Sequence, residues 1–159
     1  MENKLKVWLM VGAPGSGKST YGKKMVADNP NLLRFCPDEF RAMFGTGEGD
    51  QSVSAKAFEA TRNAMRDALK EGKNVLIDAT NMSRKSRKDF VSIARSYFAH
   101  ITAVVFLEDK STLLERNKIR GENGGRNVPE EVIDRMLGNF EMPEFPEVNE
   151  TIVINNTSK

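Results

Sequence analysis

The sequence predicts a single α/β domain built on a parallel sheet of about five strands with helices on both faces. Two observations carry that reading. Short, continuously apolar runs alternate with helix-patterned segments. Those runs also lack the in/out alternation of a half-solvated sheet, as strands covered on both faces do. At 159 residues the chain suits one domain, 1–159, with a real core.

The strand expected first is Lys6–Val11, followed by a weaker one at 32–36. Asn74–Ile77, 101–107 and 151–154 complete the set. Helices are expected between them. One spans 18–27. Another spans 52–71, carrying Ala55, Phe58, Ala60, Ala64, Met65 and Leu69 and ending at Gly72 as a C-cap. Ser83 can cap a helix bearing Phe90, Ile93, Ala94 and Tyr97. A short helix over 113–120 precedes the glycine-rich "GENGG". Pro129 suits a first helical turn, with Val132, Ile133, Met136, Leu137 and Phe140 following at helical spacing.

Composition excludes more than it selects. Hydrophobic content of 39% and charged content of 29% are those of an ordinary globular chain. A net charge of +2 is too small to argue for nucleic acid. Its distribution is uneven: Arg84, Lys85, Arg87 and Lys88 form one basic cluster, and Lys110, Arg116, Lys118, Arg120 and Arg126 another. The single cysteine, Cys36, rules out an intrachain disulfide and suits a reducing compartment, hence the cytoplasm. No apolar run has the length of a membrane span, and no signal-peptide pattern opens the chain.

The first strand leads into Gly12-Ala13-Pro14-Gly15-Ser16-Gly17-Lys18-Ser19-Thr20, a full G-x-x-x-x-G-K-S match between strand and helix. Glycines let backbone N–H groups turn in around phosphate oxygens, and the following helix aims its positive end at the anion. Lys18 should reach the β- and γ-phosphates, the Ser19 hydroxyl a Mg²⁺ ion, and Thr20 the α-phosphate side. The expected ligand is therefore a nucleoside triphosphate, with ATP the donor.

Three further elements address the acceptor. In "CPDEFRAMF", Pro37 ends the second strand. Asp38 and Arg41 then share a helical face, as a base for a hydroxyl and a cation for an anion, or as a helix cap with a surface ion pair. Asp78, after the third strand, could hold a metal's water shell, pin Arg41, or mark a plain turn; Asp38 is the other carboxylate within reach of such a shell. Arg116, Arg120 and Arg126 flank a glycine-rich stretch, as in a closing lid over about 110–128 or a solvated basic loop. The 84–88 cluster reads either as a track for a nucleic-acid backbone or as the solvated side of a helix. His100 reads as a surface or cap residue, Cys36 as a small strand-end residue, and Trp8 as packing.

Taken in order, "GAPGSGKST", "PDEFR", "IDATN", "RNKIRG" and "RNVPEEVIDRMLGNFEMPEFPE" resemble the kinase domain of phage-type 5′-polynucleotide kinases and the kinase modules of bacterial RNA-repair enzymes. The resemblance covers nearly the whole chain. It implies a three-layer P-loop kinase fold with an arginine-bearing lid, acting on nucleic acid with a 5′-hydroxyl end. It implies Asp38 as general base, Arg41 on the phosphate next to the acceptor nucleoside, and Asp78 as that arginine's support. It also implies Arg120 on the donor phosphates and Arg116 over the adenine, while Arg126 has a counterpart only in some members. The best-known members carry a phosphatase as well. Here no D-x-D-x-T pattern appears and the sequence ends at "NNTSK", so a stand-alone kinase is expected. Two other readings stand beside it: a small-molecule or nucleoside kinase, which needs a closed acceptor pocket, and a nucleotide-dependent switch, which gives Asp38 and Arg41 no reason to share a face.

Overall fold

The computed structural model describes residues 4–125 and 127–155. Five strands, β1 (Lys6–Val11), β2 (Leu32–Phe35), β3 (Asn74–Ile77), β4 (His100–Leu107) and β5 (Glu150–Asn155), form one sheet in the order β2-β3-β1-β4-β5. Every pairing is parallel, with Leu9 opposite Ile77 on one side and Ala103 on the other. Parallel neighbours need crossovers, and six helices supply them: α1 (Lys18–Asp28), α2 (Pro37–Phe44), α3 (Ser54–Lys70), α4 (Arg84–Ser96), α5 (Lys110–Glu122) and α6 (Glu130–Gly138).

Side chains alternate across β1, so its apolar run feeds two cores. Val7, Leu9 and Val11 join Met65 and Leu69 of α3, Phe90 of α4, Leu113 of α5 and Ile133 of α6 on one face. Met10 and half-buried Trp8 join Leu76, Val104 and Phe106 on the other, where α1 adds Tyr21, Met25 and Val26. Tyr21 meets Phe106 edge-on at 5.3 Å. The three-layer arrangement is thus the expected one. The loops after β1 to β4 all leave from one edge, as they must in a parallel sheet, and that edge carries the phosphate loop, Asp38 and Asp78.

Element ends differ from expectation where side chains intervene. The helical pattern of 52–71 is split. The Asp50 carboxylate accepts from the backbone N–H and hydroxyl of Ser52, which tightens Gln51–Val53 into a 3₁₀ turn before α3 begins at Ser54. Pro129 precedes α6 as its cap rather than opening it, with its carbonyl accepting from Val132 and Ile133. Pro37 starts α2, where its missing N–H costs nothing, and Cys36 stands at the cap position. Asp38 therefore lies in the first turn, not at the cap. Ser83 caps α4 as expected, reciprocally with Ser86.

Candidate active site

The loop after β1 turns on two glycines in the left-handed region, Gly15 at φ 88° and Gly17 at φ 99°. At Gly15 a side chain is also barred by space: an added Cβ would lie 3.0 Å from Asn117 Nδ2 and 3.2 Å from the Leu113 carbonyl. That close approach seats α5 on the loop. Asn117 donates to the carbonyls of Pro14 at 2.6 Å and Leu113 at 2.9 Å, and Arg120 donates to Asn117 Oδ1 at 2.8 Å. Arg116 donates to the Gly15 carbonyl at 3.0 Å and pairs with Glu108 at 3.3 Å. The expected lid is thus anchored through α5, and its two described arginines rise from one helix bonded to the loop. Arg126 lies outside the described residues.

Lys18 is 8% exposed and donates to the Ala13 carbonyl at 3.0 Å, which folds its ammonium back over the loop. Ser19 donates its hydroxyl to Asp78 Oδ2 at 3.0 Å. The same oxygen takes both Nε (2.9 Å) and Nη2 (2.6 Å) of Arg34, whose Nη1 reaches Glu39 at 2.8 Å. Of the readings open for Asp78, namely a metal's water shell, a hold on Arg41 and a plain turn, the contact with Ser19 suits the first, and Arg34 is bound to the same carboxylate. The reason is topological: β2 and β3 are neighbours with Phe35 opposite Ile77, so Arg34 emerges beside the end of β3. Burial works against the Arg34 charge. Hydrogen bonds to Glu39 and Asp78 and the Asp78 field outweigh it and hold the guanidinium pKa above its ordinary value. Burial and the same carboxylate push the Cys36 thiol up to about 11, so it is no nucleophile near neutrality.

Arg41 is buried. It pairs with Asp38 one turn earlier, donates to the Glu48 carbonyl at 2.8 Å and the Ser54 hydroxyl at 3.3 Å, and lies 5.8 Å from the Phe58 ring centre. The sequence shows only the i, i+3 spacing. The carbonyl, the hydroxyl and the ring arrive with the 48–58 segment, so Arg41 is built in rather than a surface ion pair.

Two cavities meet at this edge. One, of about 200 Å³, is lined by Asp38, Arg41 and Asp78 together with Lys18, Ser19 and Arg120. The other, of about 660 Å³, runs along residues 15–20 to Tyr21, Phe106 and Arg116, and also reaches Lys18, Ser19 and Arg120. The three shared residues are a lysine, a hydroxyl and an arginine, a set suited to an anion passing between two chambers. Ser19 and Asp78 together fit Mg²⁺, which takes few protein oxygens and keeps waters and phosphates. No group of three or more His, Cys, Asp or Glu able to hold a metal occurs among the described residues.

Sequence reasoning missed Arg34, Asn117 and Asn81, whose amide donates to the Met10 carbonyl at 2.9 Å and ties the β3 loop to β1. The available signal for Arg34 was a cation inside an otherwise apolar strand. The 84–88 cluster needs correction, because Arg87 is wholly buried. It holds Glu147 through Nε (2.9 Å) and Nη2 (3.1 Å) and donates to the carbonyls of Asn81 and Met82, so it is neither solvated nor available to a ligand.

Comparison with known proteins agrees with this geometry. The chain is 31% identical to a chain of the Pnkp1/Rnl/Hen1 RNA repair complex, with a TM-score of 0.77, over 87% of this chain and 45% of that one. It is 27% identical to L-seryl-tRNA(Sec) kinase of Methanococcus maripaludis over 139 residues, 85% of this chain and 52% of that protein. A putative kinase from Chloroflexus aurantiacus shares the fold at a TM-score of 0.78 and 14% identity, covering 98% of this chain and 90% of that one. The chain thus spans about half the length of the first two. No helix among the described residues is long and apolar enough to cross a membrane. The AAA domain family matches residues 7–143, and the chain belongs to it, with the fold of a P-loop kinase.

Proposed function

We propose that this member of the AAA domain family transfers the γ-phosphate of ATP to the 5′-hydroxyl of a polynucleotide. The observation that carries the reading is the pair of cavities sharing Lys18, Ser19 and Arg120. ATP lies in the larger chamber with its phosphates in the loop, under Arg116. Ser16, one of the residues of that chamber, fits this placement: its buried hydroxyl has no hydrogen-bond partner among the described residues, and a phosphate oxygen would supply one. The acceptor's terminal nucleoside enters the smaller chamber. Its hydroxyl oxygen attacks the γ-phosphorus, the bond from that phosphorus to the β–γ bridging oxygen breaks, and the hydroxyl proton passes to Asp38. ADP leaves. Mg²⁺, when bound at Ser19 and Asp78, supplies charge compensation for the donor phosphates. Lys18 and Arg120 stabilise charge that grows on the transferring group, because both are held in place before it arrives. Arg41 fixes Asp38 and offers the acceptor's adjacent phosphate a cation.

A second reading, a kinase of small molecules or free nucleosides, draws on the size of the acceptor chamber, which at about 200 Å³ suits a single small unit. Transfer of labelled γ-phosphate to 5′-hydroxyl DNA, 5′-hydroxyl RNA, nucleoside 3′-monophosphates and free nucleosides separates the two. The polynucleotide reading expects oligonucleotides to be the best acceptors. Equal or better use of free nucleosides overturns it, and hydrolysis without transfer to any acceptor favours a nucleotide switch.

A further inference from the structure

The basic cluster on α4 has no part in the chemistry above, and once Arg87 is removed from it a different feature emerges. Arg84, Lys85 and Lys88 are exposed, and with Arg95 they line a groove of about 610 Å³ between α4 and residues 146–147. The one acid in that lining is Glu147, and both its oxygens are taken by Arg87. Arg95 donates to the carbonyls of Pro146 and Glu147 and leans along the groove wall. The cations do not serve the helix. Its first turn holds no acidic residue, and positive side chains there oppose the helix dipole.

Next to this groove lies a second cavity of about 230 Å³, which shares Arg84 and Glu147 with it and adds Phe145 and Met142. Phe145 is 79% exposed and Met142 39%, in a segment pinned by buried Pro143, Glu147 and Val148. An exposed aromatic beside a cationic groove is the arrangement that holds single-stranded nucleic acid, with phosphates on the cations and a base on the ring. The acids nearby are exposed Asp89 on α4 itself, Glu141, which accepts the Arg84 backbone N–H at 3.2 Å, and Glu144; the last two line the Phe145 cavity and none of the three lines the groove. The position is also right. Asp78, Ala79 and Thr80 line the acceptor chamber, and α4 starts four residues further on at the same edge of the sheet.

We infer that the Arg84–Lys85–Lys88 groove with Phe145 is an extended single-strand binding track, which holds the acceptor strand beyond the nucleotide seated at Asp38. This rests on the polynucleotide reading and adds a second contact region to it. The track makes the small acceptor chamber compatible with a long substrate, because only the terminal nucleotide needs to fit there.

The test uses the whole chain with Arg84, Lys85 and Lys88 all changed to Gln, a separate Phe145→Ala variant, and Arg87 left intact because it is structural. Fluorescence anisotropy measures binding of a labelled single-stranded 12-mer as salt is raised. Phosphoryl transfer is measured on the 12-mer and on a nucleoside 3′-monophosphate. The triple variant should bind the 12-mer at least about tenfold more weakly. Its log–log salt slope should be shallower by about 2, from roughly 0.7 per lost phosphate contact on single strands. Transfer to the 3′-monophosphate and the melting temperature should be unchanged. Phe145→Ala should weaken 12-mer binding by about 5-fold or more, the scale of one lost base stack. Transfer to the 12-mer with unchanged slope and affinity in the triple variant overturns the track and leaves the kinase reading standing. Salt-dependent 12-mer binding that the triple variant loses, without transfer to any polynucleotide, supports the track and overturns the kinase reading. Intact 12-mer binding with loss of a poly-glutamate peptide would assign the groove to an acidic protein and overturn the proposal.

Discussion

The halves of the candidate site proposed for donor and acceptor share one edge of one sheet but are made differently. The donor half is contiguous. Residues 12–20 offer backbone groups, two left-handed glycines and the start of α1. The acceptor half is assembled from distant pieces. Asp38 and Arg41 come from α2, Arg34 from β2, Asp78 from beyond β3, and Ser54 and Phe58 from α3. A site made of backbone tolerates few changes and announces itself in sequence. A site made of side-chain partners can be rewired by one substitution, and specificity belongs there.

The largest expected effect falls on the wall common to both halves. Lys18→Ala should reduce transfer by about 10³–10⁵-fold, the scale for losing a charge partner of the transferring phosphoryl group. Circular dichroism should stay native. Transfer within tenfold of wild type in single-turnover assays would separate the two chambers functionally and break the comparison.

Next comes the acceptor half alone. Asp38→Asn keeps shape and loses the base, so transfer should fall by about 10²–10⁴-fold on every acceptor while ATP affinity holds. Arg41→Lys should act differently, narrowing the preference for nucleotide over nucleoside because a point charge cannot copy the buried fork. Identical acceptor profiles for the two variants would show that the pair works as one structural unit. If Asp38→Asn lowers only the melting temperature, Asp38 serves the helix dipole and not the reaction.

Arg120→Ala should cost more than about 10²-fold in kcat, and Arg120→Lys should recover little, since Arg120 is set by Asn117 into a fixed fork. Full rescue by lysine would mean that only net charge matters at the lid.

Arg34→Gln sharpens the contrast by touching wiring without touching chemistry. Asp78 is 3% exposed and would lose its cation. The cost should be about 1–3 kcal/mol, read as a fall of roughly 2–4 °C in Tm for each kcal/mol. The loss in kcat should remain well below that of Asp38→Asn. A larger loss would place Arg34 among the groups that meet the substrate.

The smallest effect concerns Cys36. Its thiol pKa is raised from 9.0 to about 11, first by burial and then by Asp78. The folded state therefore holds its proton to higher pH than the unfolded chain. The stability this confers is complete below pH 9 and declines between pH 9 and about 11. At pH 8 iodoacetamide should label the native protein about 10²-fold more slowly than the protein in urea. Equal labelling rates would show that the acceptor chamber opens freely.

Much of this molecule is readable along the chain, and the legible parts share a cause. Lys6–Val11 and Asn74–Ile77 match their expected bounds because, past a polar first residue, a strand covered on both faces runs continuously apolar. Ser83 is readable as a cap because its partner lies three residues away. The phosphate loop is readable because glycine, lysine and serine act where they stand, through backbone angles and reach. Each of these depends on chemistry within one or two turns of chain.

Pairing over long separations is different. Arg34 and Asp78 are 44 residues apart, Arg87 and Glu147 are 60 apart, and Asn117 and Pro14 are 103 apart. In sequence, Asp78 suits Arg41 as well as Arg34, and Arg87 looks like its exposed neighbours. Strand order chose between them. With β2 beside β3, Arg34 meets Asp78 first, and with Glu147 brought against α4, Arg87 turns inward while Arg84, Lys85 and Lys88 stay in water. An ionisable side chain cannot be buried without a partner, and which partner is within about 3 Å depends on how the layers stack, not on spacing along the chain.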